Sequence, residues 1–138
     1  MNVATLRVEG SEAALDQFLA RLGGLPSARW KTGDARDKRG GVHEQSGLNL
    51  TIADCASSEL MMETARAFLQ QCRDSWIALQ GPELDASLCV GVTVGTTDQF
   101  VSTVPVTADD MRLLTALGIA LYVAAYPATE ESPTDVTA

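Results

Sequence analysis

The side chains able to do chemistry are few and scattered along the chain. There is one histidine, His43, and it stands beside Glu44 in a polar stretch. An imidazole next to a carboxylate can pass a proton as an acid–base couple, but a single such pair in a loop is more often solvated than catalytic. The three cysteines, Cys55, Cys72 and Cys89, form no C-x-x-C and leave no complete disulfide set. Cys72 and Cys89 fall on apolar stripes, where a free thiol packs as a small hydrophobe. A catalytic zinc needs three protein ligands in suitable geometry, and one histidine with dispersed cysteines offers no such set. Gly91 and Gly95 bracket a strand-like run with no Gly-Lys-Ser/Thr after it, so no phosphate loop is present. There is no G-x-S-x-G elbow either. The expectation is therefore no catalytic residue, no metal and no cofactor, with an enzyme built on His43 and Glu44 as the weaker alternative.

Carboxylates are abundant enough to form a recognition surface. Glu59 and Glu63 are spaced i, i+4 and share one helix face. Asp98, Asp109 and Asp110 cluster around an expected edge strand and the opening turn of a third helix, where acids also stabilise the helix dipole. Trp30 sits beside a charged loop and off any clear stripe. Tryptophan is enriched at binding hot spots, although packing into the core is an equal alternative. The expected partner-binding set is Trp30, Glu59, Glu63, Asp98, Asp109 and Asp110. Charge is unevenly spread: residues 1–41 carry a net +2, residues 42–138 a net −10, and the whole chain −8. Such an acidic chain repels a phosphate backbone, which is bound through clustered Lys and Arg, so nucleic acid is not expected. A protein with a basic surface is a compatible partner, and a plain solvated acidic face is the alternative.

The elements that position these residues can be read from periodicity and caps. Thr5 to Glu9 alternates as a first strand. Ser11 is a good N-cap, and Leu15, Phe18, Leu19 and Leu22 form the apolar stripe of a helix ended by Gly23 and Pro26. From Trp30 to Gly47 charge and glycine dominate, which reads as a mobile loop between strands. Leu48, Leu50 and Ile52 alternate in a strand. Ser57 and Ser58 offer caps to a second helix with Met61, Ala65, Phe68, Leu69 and Cys72 at helical spacing, and residues 76–80 read as either helix or strand. Ser87 to Val94 is a strand, Phe100 to Val104 an expected edge strand before Pro105. Thr107 and Asp110 approximate a capping box for a third helix with the stripe Met111, Leu114, Leu117 and a stop at Gly118. Ile119, Leu121 and Val123 alternate in the last strand, with Tyr122 and Tyr126 on its other face.

At 138 residues and 46% hydrophobic composition the chain fits one domain with its own core. We expect an α+β domain over residues 1–126 and a flexible acidic tail over 127–138. The fold class is an open, mostly antiparallel sheet with about three helices on one face. The echo of LARLG (residues 19–23) in LTALG (114–118) is compatible with two βαβ-like halves. No basic and apolar leader precedes the first strand, and the apolar run 119–126 is shorter than the roughly 20 residues a membrane helix needs. A cytoplasmic protein without membrane contact is expected, and a homo-oligomer is compatible with the sequence.

With these elements placed, the motifs LRVEG (6–10), LGGLP (22–26), KTGD (31–34) and the segment 111–126 resemble a bacterial family of small α+β domains of unknown function. That family includes proteins taken to be immunity proteins of secreted or contact-delivered toxins. The resemblance implies a non-catalytic cytoplasmic inhibitor that binds and neutralises a cognate toxin, and it implies no site residues. A small-ligand or regulatory module, with a pocket on the sheet face at Thr93, Tyr122 and Tyr126, is the alternative.

Overall fold

Alternation along the first strand decides the architecture. In β1 (Asn2–Gly10) Asn2, Ala4, Leu6 and Val8 are buried, while Val3, Thr5, Arg7 and Glu9 are half-exposed. Successive strand residues point to opposite faces, so only one face of this strand can build the core. The computed structural model describes residues 1–36, 40–75, 83–97 and 100–128. Within them β1 is followed by α1 (Glu12–Leu22), β2 (Ala28–Trp30), β3 (Ser46–Asp54), α2 (Ser58–Asp74), β4 (Leu84–Val94), α3 (Ala108–Leu117) and β5 (Ile119–Pro127).

The five strands form one sheet in the order β2-β3-β1-β4-β5, and every neighbouring pair is antiparallel except β4 with β5. β1 and β2 therefore run parallel with β3 between them, and β3 and β4 run parallel with β1 between them. These are two interleaved βαβ units, the split arrangement of ferredoxin-like folds, extended by α3 and β5. The α+β class, the mostly antiparallel sheet and the three helices agree with the sequence reading. The halves are interleaved, however, and the pseudo-equivalent helices are α1 and α2. The LARLG and LTALG echo joins α1 to α3 instead, and what it encodes is a shared ending: Gly23 and Gly118 both adopt left-handed backbone, φ 75° and 71°.

The caps form as expected. Ser11 Oγ accepts from the Ala14 amide and Ser57 Oγ from the Leu60 amide, each at 3.1 Å. Thr107 and Asp110 make a reciprocal capping box. The core gathers Leu6, Val8, Leu48, Leu50, Leu88 and Val90 from the sheet with Leu15, Phe18, Met61, Leu69 and Leu114 from the helices. Arg29 of β2 reaches to the helix side and donates to Glu12 (3.0 Å) and Asp16 (2.8 Å), which ties α1 to the sheet edge.

Five expectations need correction. Residues 101–106 are not in a strand. Val104 and Val106 pack against the core, and Ser58 Oγ donates to the Thr103 carbonyl, so this apolar segment is satisfied by α2 rather than by a ladder. The sheet edges are β2 and β5. Met111 does not line the α3 stripe: it is 53% exposed, and Leu113 takes its place beside Leu114 and Leu117. The stretch from Trp30 to Gly47 is not an unpaired loop. Its described arms pair, with Gly33 donating to the His43 carbonyl (2.8 Å), His43 to the Asp34 carbonyl (2.9 Å), and a bridge between Ala35 and Val42. Cys89 lies half-exposed on the helix-free face of the sheet while Cys72 is buried. Pro127 belongs to β5, and the Ala128 amide donates to Val94 (2.8 Å). The uncertain segment 76–80 and the tail from 129 onward lie outside the described residues. Among the described residues no helix is long and apolar enough to cross a membrane.

Candidate binding surface

The acidic residues of the expected set do not behave alike. Glu59 and Glu63 are exposed on α2, and Asp109 is exposed at the start of α3, where it pairs with Arg112. Asp110 is different: it is only 4% exposed, and it takes the Arg66 guanidinium in a two-pronged ion pair. Its second carboxylate oxygen accepts from Arg66 at 2.8 Å and also from the Thr107 amide at 3.0 Å. The Arg66 hydrogen bonds hold the Asp110 carboxyl below the usual carboxylate range, with the Thr107 cap acting in the same direction and partial desolvation opposing. Asp110 therefore locks α3 onto α2 and is not available to a partner. Asp98 lies outside the described residues.

Trp30 is also committed within the chain. It is 8% exposed, its indole N–H donates to the Gln45 carbonyl (3.0 Å), and its ring lies across Gly47, where a Cβ would come within 2.4 Å of Cζ2. The Arg7 guanidinium sits 4.6 Å from the ring centroid, a cation–π contact. The His43 imidazole stacks on the same tryptophan with centroids 4.6 Å apart and planes 20° from parallel. The lone histidine thus serves as a lid on Trp30. Glu44 points elsewhere, lining a hollow of about 400 Å³ with Glu9, Glu83 and Asp85 near the start of α1. Among the described residues no group of three or more His, Cys, Asp or Glu is placed to hold a metal ion.

The helix-free face of the sheet brings together residues that sequence reasoning mostly missed. Register places Thr5 opposite Cys89, Cys89 opposite Tyr122, Gly91 opposite Ala124 and Thr93 opposite Tyr126. Met1, Val3, Thr5, Cys89, Gly91, Tyr122, Ala124 and Tyr126 bound an open, mainly apolar hollow of about 630 Å³. Tyr122 is 62% and Tyr126 53% exposed, and the Tyr126 ring stands over the bare backbone of Gly91. Burial and the Arg7 charge act on the Cys89 thiol in opposite senses, burial prevailing and raising its pKa. Tyr122 and Tyr126 were grouped in the sequence reading, and Thr93 lies on this face without lining the hollow. The missed signal was the opposite parity of Val3 and Thr5 to Leu6 and Val8, together with a glycine inside a strand, which marks close approach of another group.

Among the described residues the helices lie on one side of a split βαβ sheet and an aromatic, apolar floor lies on the other, which defines the class: an α+β protein. No family model, no curated protein and no solved structure matches the chain.

Proposed function

We propose that this chain acts by binding a protein through the helix-free face of its sheet, and that the partner is a bacterial toxin whose activity is blocked by the contact. The observation that carries the binding reading is the pair Tyr122 and Tyr126, more than half exposed beside a hollow whose lining has no charged side chain. Exposed apolar surface rimmed by polar groups is a common mark of a binding site, and tyrosines with an apolar floor are the anchors that binding surfaces favour. The toxin as partner follows from the family resemblance alone. Glu59, Glu63 and Asp109 on the helix side supply the negative field that would speed encounter with a basic partner, while the tyrosine face holds the complex.

The test is capture of the partner by the tagged chain from its host, followed by variants. We expect Tyr122→Asp with Tyr126→Asp to lower affinity at least tenfold while the protein stays folded. Charge reversal at Glu59, Glu63 and Asp109 should slow association a few-fold and leave dissociation unchanged. Capture that is indifferent to the tyrosine pair would overturn the assignment of the face.

The volume of the hollow favours a second reading. About 630 Å³ falls within the range of small-molecule sites, so a flat apolar ligand against Gly91 is the competing function. It requires a rise in melting temperature on adding ligand in the absence of any protein partner.

A further inference from the structure

β5 is where this fold leaves backbone open. It pairs along its whole length with β4, and on its other side no strand is present among the described residues. Edge strands carry a row of free N–H and C=O groups, and proteins guard them by keeping them short, charged, bulged or covered. The opposite edge obeys this rule: β2 has three residues with Arg29 at its centre. β5 breaks it, with nine residues, an uninterrupted register against β4 and no charged side chain.

We propose that β5 pairs antiparallel with β5 of a second copy about a twofold axis at Val123, so that two five-stranded sheets continue as one sheet of ten strands. The strand is self-complementary in that register. A twofold axis normal to the sheet keeps helix-side residues opposite helix-side residues, which allows only registers centred on a residue. Centring on Val123 engages all nine residues from Ile119 to Pro127. On the helix-free face it sets Tyr122 opposite Ala124 of the second copy and Ala120 opposite Tyr126, so each bulky ring meets a methyl. On the helix side Leu121 meets Ala125, and Val123 meets itself, a β-branched pair of the kind that stabilises ladders. Centring one residue later sets Tyr122 against Tyr126 and shortens the ladder.

Charge selects the same surface. Two chains of net −8 repel, and an uncharged strand is where they can approach with least opposition. The strand is roughly 30 Å long and a sheet roughly 10 Å thick, so the contact is on the order of 300 Å² per copy. That is below the about 800 Å² per partner of a standard stable interface, so the dimer is weak and reversible. It would join the two tyrosine faces into one strip with four tyrosines. This pairing needs no toxin and stands or falls apart from the function proposed above.

Sedimentation of the full chain over roughly a hundredfold range of concentration, up to a few hundred micromolar, should show monomer passing to dimer. In a Cys55→Ser, Cys89→Ser background, Val123→Cys should give a disulfide-linked dimer on mild oxidation, because that position faces itself. Tyr122→Cys in the same background should cross-link at least tenfold more slowly. Val123→Lys should remain folded and monomeric at every concentration. A chain that stays monomeric throughout overturns the proposal, as does a dimer that survives Val123→Lys. If that variant does not fold, the two cysteine variants decide: equal cross-linking at both positions rules out the Val123 axis.

Discussion

Asp110 shows how much a single residue can carry that its neighbourhood in sequence does not reveal. The run Thr107, Ala108, Asp109, Asp110 announces a capping box, and the box forms. That the same carboxylate also clamps Arg66, 44 positions away, depends on how α2 and α3 pack and has no local signature. Replacing Asp110 with alanine should therefore cost about 2–3 kcal/mol, the sum of a lost cap and a stranded guanidinium. Asp109→Ala, on an exposed pair, should stay within about 0.5 kcal/mol. Urea unfolding of the two variants checks the contrast. The pH dependence has a definite sign. The carboxyl is held below its ordinary value of about 4, so its stabilising contribution is present above that value and is lost as pH falls through the depressed folded-state value. The acid limb of wild-type stability should flatten in Asp110→Ala. Cys72 makes a second residue-scale case: burial pushes its thiol up to about 11. A thiol reagent at pH 8 should label Cys55, which is partly exposed, at least tenfold faster than Cys72 in the folded protein, with parity on unfolding, as peptide mass spectrometry would show. Gly47 is the third. A methyl there would meet the Trp30 ring, so Gly47→Ala should cost about 1–3 kcal/mol and shift Trp30 fluorescence in a Trp76→Phe background.

Elements were legible wherever one local rule decided them. Ser11, Ser57 and Thr107 mark three helix starts, and Gly23 and Gly118 mark two ends, because caps are satisfied within a few residues of chain. Faces were harder. In α3 the spacing i, i+3, i+6 of Met111, Leu114 and Leu117 competes with a face through Asp110, Leu113, Leu114 and Leu117, and periodicity alone does not choose. What turns the helix is the Arg66 clamp on Asp110, which brings Leu113 inward and leaves Met111 in water. Met111→Lys should thus be tolerated within about 0.5 kcal/mol, whereas Leu113→Ala should cost about 2–4 kcal/mol. Equal costs in thermal or urea unfolding would mean that the helix is rotated. The residues 100–106 misled for a related reason. Alternating apolar residues before a proline suit an edge strand, but Val104 and Val106 find their burial against the core beside α2, and no ladder is needed.

At the scale of the whole molecule, a one-sided α+β sheet was legible from composition and alternation, whereas strand order was not. Which strands become neighbours depends on contacts between distant segments, and the interleaving of β1 between β3 and β4 has no sequence signature. The helix-free face was legible only in part, through Tyr122 and Tyr126, because Met1 and Cys89 join them only once that order exists. The order also sorts charge. Arg7, Arg29 and Lys31 lie toward the β2 side, and β5, at the far edge, carries no charge in a chain of net −8. Salt then separates two kinds of self-association. If copies met through charge complementarity, screening would loosen them. If they meet through the uncharged strand, the long-range term is repulsion between like-charged molecules, and screening removes it. The Debye length falls from about 14 Å at 50 mM salt to about 4 Å at 500 mM. Over that range the dissociation constant measured by sedimentation should fall several-fold, and a rise would assign the contact to ion pairs instead of β5.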